Sequence, residues 1–253
     1  MEVEEPVAPS ATKKARKSNS KATTRNASTS SSSAGRRSEV EADKSIKSPT
    51  RSSTAAAVAA EPSGEIYGMV GLGIMGSSIV ENLIGSGYEV VIYNRDPVKS
   101  GKFPNCTVAQ TPREVFEQAQ ITFICVADSD AVKEVICDGL NGIIAAETPE
   151  SDKEKGLIML SSIDCETSAD MRNAMLCKGN ARYLEAQIQG SRESAQNGDL
   201  IVIASGDKSL YDDAKGCFEA ISKNSYFLGE EIGAAIKMNM VLQTMAGVQL
   251  AAL

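Results

Sequence analysis

From residue 65 onward, short apolar runs alternate with stretches of helical spacing. Residues 66–70, 90–93, 121–126, 157–160, 182–186 and 200–205 are runs of four to six residues rich in Ile, Val, Leu and aromatic side chains. Runs this short, bounded by turn residues, read as strands. Between them lie candidate helices at 77–84, 111–118, 130–137, 165–178 and 209–221. Residues 77–84 put apolar side chains at Ile79, Val80, Leu83 and Ile84, one face of a helix. Thr111-Pro112-Arg113-Glu114 has an N-cap residue, proline at the first helical position and an acid in the first turn. Strand–helix alternation of this kind gives an α/β fold, a doubly wound and mostly parallel sheet with helices on both faces.

The periodicity ends differently on each side of this region. Residues 1–62 are dominated by Ser, Ala, Thr, Lys and Arg, and Ile46 is their only Ile, Leu or Phe. Such a segment has too little apolar surface to offset the entropy of ordering, so it is expected to be a disordered linker. At the other end, residues 233–253 are apolar and helix-prone and stop without a cap, which reads as a chain cut inside a long helix. A helix this apolar normally packs against another domain or subunit. Lys237, Asn239, Gln243 and Gln249 argue against its crossing a membrane.

Charge sharpens this division. Residues 1–62 hold 11 Lys+Arg against 7 Asp+Glu, while the remainder holds 15 against 26. A basic tail therefore precedes an acidic body, and the body's sign argues against its gripping DNA. Lys13-Lys14-Ala15-Arg16-Lys17 reads as a nuclear-import signal, a phosphate-contacting patch or a solubilising charge run. The six cysteines include no CxxC, which fits reduced thiols better than a disulfide framework.

The densest chemical signal is the turn Gly71-Leu72-Gly73-Ile74-Met75-Gly76, lying between a predicted strand and a predicted helix. A second strand follows at 89–93, completing the βαβ unit of a Rossmann-type dinucleotide site. The first glycine allows the tight turn, the second lets backbone approach a pyrophosphate, and the third lets helix and strand pack closely. NAD-preferring sites place an acid at the end of the second strand, where it holds the ribose hydroxyls. This chain has Asn94 there, followed by Arg95, whose forked donors suit a 2′-phosphate. The reading favours NADP(H) over NAD(H). Asp96, just before Pro97, is expected to cap the next segment.

These residues resemble the β-hydroxyacid dehydrogenases, which include 3-hydroxyisobutyrate dehydrogenase and glyoxylate/succinic semialdehyde reductase. The resemblance rests on GLGIMGSSIVENLIGSG and Asn94-Arg95-Asp96, and it covers residues 65–253. It is closest to a nuclear, eukaryotic branch through ITFICVADSDAVKEVI, YLEAQIQGSRESAQNGDLIVIASGD and NSYFLGEEIGAAIKMNM. The resemblance implies a basic linker at 1–62, an NADP-binding domain at 63–230, and a long helix from 231–253 leading into an all-helical domain. It further implies nucleosome or DNA partners reached through the basic tail, a location on nuclear chromatin, and a dimer or tetramer. By the same resemblance, the backbone near Val126 and the hydroxyl of Ser162 lie near the nicotinamide ribose.

Active members of the family have a lysine on the long helix that protonates the carbonyl oxygen as hydride arrives. An asparagine four residues later orients the substrate. Anchored on Gly247, this pattern puts Asn239 at the lysine position and Gln243 at the asparagine position. Lys237 is two residues away, a rotation of roughly 200° on a helix. The family's serine for the substrate carboxylate, in a Pro-Val-Ser-Gly context, falls in Gln187-Ile188-Gln189-Gly190, with Gln189 at the serine. An amide cannot release a proton as an ammonium does. With no histidine in the chain, the expectation is a dehydrogenase fold without a catalytic residue, used on chromatin as a binding module. The alternative is a working NADP-dependent reductase of small semialdehydes.

Overall fold

The computed structural model of the chain describes residues 65–147, 154–179 and 181–253. The basic segment 1–62, with Lys13–Lys17, lies outside these residues. The glycine turn joins β1 (Ile66–Val70) to α1 (Ile74–Gly85), and β2 (Glu89–Tyr93) follows. The chain then passes through α2 (Pro97–Ser100), β3 (Thr107–Val108) and α3 (Pro112–Gln118). It crosses back to β4 (Ile121–Ile124), α4 (Ser129–Cys137), β5 (Lys155–Met159), α5 (Cys165–Lys178) and β6 (Ala181–Gln189). The last elements are α6 (Arg192–Gln196), β7 (Leu200–Gly206), α7 (Lys208–Asp213), α8 (Lys215–Ile221), β8 (Ser222–Phe227) and α9 (Ala234–Ala251).

The eight strands form one sheet in the order β3-β2-β1-β4-β5-β6-β7-β8. Every pairing is parallel except β6 with β7. The doubly wound, mostly parallel fold read from the alternation is the fold observed. Strand order reverses between β1 and β4, so the crevice for a ligand opens at the C-terminal ends of those two strands.

Alternation along the central strands feeds two cores, one on each face of the sheet. On β1 and β4, Met69 and Phe123 pack with Ile79, Leu83 and Phe218 on one side. Their neighbours Val70 and Ile124 pack with Phe116, Ile136 and Met175 on the other. Thr111 caps α3 as expected, its Oγ1 accepting from Glu114 N at 3.1 Å. Asp96 caps α2, its Oδ1 accepting from Val98 N at 3.1 Å.

The predicted helix 209–221 is two helices, broken at Ala214. The break buries Leu210 and Tyr211 from one piece and Cys217, Phe218 and Ile221 from the other. No two of the described cysteines are bridged, and Cys137 and Cys177 are exposed. Burial pushes the Cys125 thiol up to about 11 and the Cys217 thiol up to about 12, so neither ionises near neutral pH. Among the described residues, no helix is long and apolar enough to cross a membrane.

Candidate functional site

The glycine turn is shaped by steric demand. Gly71 has φ +101°, and a Cβ there would lie 2.2 Å from the Cys125 carbonyl oxygen. A Cβ on Gly76 would lie 2.1 Å from the Gly71 oxygen. Gly73 differs: a Cβ there would meet nothing within 4 Å, and it would project into open space. No side chain caps α1, which begins at Ile74 with Gly73 as its N-cap residue. The first-turn N–H groups are thus left for an anion.

This turn borders a cavity of about 630 Å³ at the switch point. Gly71, Gly73, Ile74, Met75, Asn94, Arg95 and Val126 all line it. Leu72 is buried in the core, and Gly76 is buried beneath the turn. Asn94 braces the turn: its Oδ1 accepts from Leu72 N at 2.9 Å and its Nδ2 donates to Asp96 O at 3.0 Å. Both ends of that amide are committed, and the cations lining the cavity near the end of β2 are the exposed Arg95 and Lys99. Ser162 is exposed just past β5 and does not line the cavity. Its neighbour Ser161 is buried, its Oγ accepting from Val126 N at 2.8 Å. Lys99 and Glu134 are lining residues that sequence reasoning missed. Lys99 lies in α2, just past the Asn94-Arg95-Asp96 turn.

A second constellation joins β6, β5 and α9. Gln243 Nε2 donates to Gln189 Oε1 at 3.2 Å, and Gln189 Nε2 donates to Asn239 Oδ1. Asn239 Nδ2 donates to Gln187 Oε1 at 3.0 Å, and Gln187 Nε2 donates to the Ser161 carbonyl at 3.1 Å. Four carboxamides thus form one chain of hydrogen bonds, all pointing the same way, from α9 to the end of β5. Donors aligned in series polarise one another. Asn239 and Gln187 are buried, and Gln243 is at the exposed end. Lys237 stands outside this chain, exposed on α9, with Nζ 3.0 Å from Glu231 Oε1.

Glu185 holds the start of α9. This fully buried carboxylate accepts from Ser168 Oγ at 2.5 Å and Ser205 Oγ at 2.8 Å. Both its oxygens also accept from Gly233 N, at 2.8 and 2.9 Å, which ties the residue before α9 to β6. The amide chain begins less than two turns further on, so α9 is tied twice to β6. Beyond Asn239 every residue of α9 is exposed, including Met240, Val241, Met245 and Val248.

Fold and site together define a Rossmann-type NAD(P)-binding domain. The family model for the NAD binding domain of 6-phosphogluconate dehydrogenase matches residues 66–229, and the chain belongs to this family. The cytokine-like nuclear factor N-PAC of Anopheles gambiae is 44% identical over 187 residues, 73% of this chain and 32% of that protein. The chain therefore spans about a third of the length of the curated relatives it matches. The solved structure of Mycobacterium tuberculosis 3-hydroxyisobutyrate dehydrogenase with L-serine shares the fold, at TM-score 0.66 and 21% identity, over 74% of this chain and 62% of that one. The structure of Psf3 in complex with NADP+ and 2-OPP aligns at TM-score 0.67 and 26% identity, over 74% of this chain and 64% of that one.

Proposed function

We propose that this chain is the cofactor-binding part of a catalytically inactive dehydrogenase-like protein that acts on chromatin. The observation that carries the reading is the amide chain. Asn239, Gln243 and Gln189 occupy the positions that the family resemblance gives to the lysine, the asparagine and the serine. They hydrogen-bond one another in place of a substrate. Hydride delivery to a carbonyl builds negative charge on oxygen, and a carboxamide cannot neutralise it with a proton. The exposed Lys237, paired with Glu231, lies outside the group.

In this reading the Rossmann domain binds NADP(H), with the pyrophosphate over Gly73 and the start of α1 and the 2′-phosphate at Arg95. The name of the N-PAC relatives supports a nuclear setting. The basic segment 1–62 supplies salt-sensitive contacts to DNA or nucleosomes. The exposed apolar face of α9 supports assembly into a dimer or tetramer.

The test is a steady-state assay of the full-length protein with NADPH and glyoxylate or succinic semialdehyde, beside the Lys237→Ala variant. Turnover is expected to stay at background in both while calorimetry detects NADPH binding. Robust turnover that disappears in Lys237→Ala would overturn the reading and make the protein a reductase.

A further inference from the structure

The strand-end acid that marks NAD-preferring sites is missing from β2, but the cavity has a carboxylate in the same neighbourhood from another element. Glu134, on α4, lines the cavity beside Arg95, with Arg95 Nη1 3.8 Å from Glu134 Oε2. The other acids there are engaged elsewhere. Asp96 Oδ1 accepts from Val98 N at 3.1 Å, and Asp138 Oδ1 accepts from Leu140 N at 3.0 Å. Among the described residues, Glu134 is the cavity carboxylate whose partner is the guanidinium itself.

We infer that Glu134 sets how strongly this site distinguishes NADPH from NADH, a step that rests on the NADP(H) reading above. The two ligands differ at the adenosine ribose by one phosphate. A 2′-phosphate on the Arg95 fork lies well within a Debye length of the Glu134 carboxylate. Like-charge repulsion then weakens NADPH, and Arg95 must divide its donors between two anions. NADH carries no charge at that point and loses nothing to Glu134. A competing effect is pre-orientation of Arg95 by Glu134. It is small, because both side chains are mostly exposed, at 85% and 65%, and a pair at 3.8 Å in water holds a side chain weakly. Repulsion therefore wins. The structure assigns to α4 the acid that β2 lacks, and discrimination by this site is shallower than Arg95 alone would give.

The experiment is calorimetric titration of the intact protein and of Glu134→Gln with NADPH and with NADH, at low and at high salt. Glu134→Gln is expected to tighten NADPH about two- to four-fold at low salt. The gain should shrink at high salt, and NADH affinity should change by less than about two-fold. An unchanged NADPH-to-NADH ratio, or a shift toward NADH, overturns the role of Glu134. So does a gain for NADPH that salt leaves untouched, since that would be packing and not charge. Failure of the cofactor reading looks different: the unaltered protein would then bind neither nucleotide.

Discussion

Breaking the amide chain at Asn239 should cost stability in a way that identifies it as a chain. In Asn239→Ala, two hydrogen bonds disappear, to Gln187 Oε1 and from Gln189 Nε2. The consequences differ at the two ends. Gln187 is 1% exposed, so its carbonyl is left buried without a donor, at about 1–3 kcal/mol. Gln189 is half-buried and regains water, at about 0.5 kcal/mol. Alanine's better helix propensity returns up to about 0.7 kcal/mol. The net is a destabilisation of about 2 kcal/mol, or 4–8 °C in Tm for a domain of this size. Gln187→Ala should cost a comparable amount, because it orphans Asn239 Nδ2 and the Ser161 carbonyl. The double variant removes donor and acceptor together, so its cost should fall short of the sum by about 1 kcal/mol. Urea unfolding of the four proteins measures this. Costs that add to within about 0.3 kcal/mol would refute a continuous chain.

Two further outcomes follow from the geometry. Gly73→Ala should leave Tm unchanged or slightly raised, since its Cβ meets nothing within 4 Å, yet weaken NADPH about ten-fold or more by pushing the pyrophosphate off the turn; thermal melts and calorimetry read the two separately. Asp164 caps α5, accepting from Thr167 N and Thr167 Oγ1 at 2.7 Å and from Ser129 Oγ at 2.9 Å, and these bonds hold its carboxyl far below the usual carboxylate range. A lowered folded pKa contributes stability above the unfolded value and loses it as pH falls, so Asp164→Asn should be less stable than the unaltered protein at pH 7, with the gap closing below about pH 4.

The parts of the fold legible in the sequence are those whose side chains face the core on both sides. β1, β4 and the interior of β6 are visible as apolar runs because helices cover both faces. β8 is at the sheet edge, the first four residues of its sequence Ser-Lys-Asn-Ser-Tyr-Phe are polar, and no run marks it. β3 is two exposed residues at the opposite edge. The last three residues of β6, Gln187 to Gln189, are strand because antiparallel β7 pairs with them, and no local apolar signal predicts that. The approach of Asn239 to Gln189, 50 residues apart in sequence, is beyond periodicity altogether. Only family resemblance aligned those positions. Asn94 shows the reverse difficulty. Its place at the strand end suggests a ribose contact, but its amide is spent on the backbone of the turn, a use that spacing cannot reveal.

The three glycines that dominate the sequence do not carry equal weight once the structure is in view. Gly71 and Gly76 are demanded by packing: any side chain there runs into backbone oxygen at 2.2 or 2.1 Å, ligand or no ligand. A fold that had lost its cofactor would still keep them. Gly73 has ordinary φ, −72°, and open space where its Cβ would be, so nothing within the chain requires glycine there. Its small size is explained by something that approaches from the cavity. Arg95 and Lys99 agree with it in charge, and the uncapped α1 agrees in dipole. The same discrimination applied to the long helix gives the opposite answer. Asn239, Gln189 and Gln243 hydrogen-bond one another, and Asn239 also reaches Gln187, so the fold itself gives each of these amides a partner. A residue that the fold does not need points outward to a ligand, and a residue that the fold has absorbed does not. By that criterion Gly73 and the cations beside it point to a bound nucleotide, while Asn239, Gln189 and Gln243 support the proposal of a substrate half rebuilt as structure.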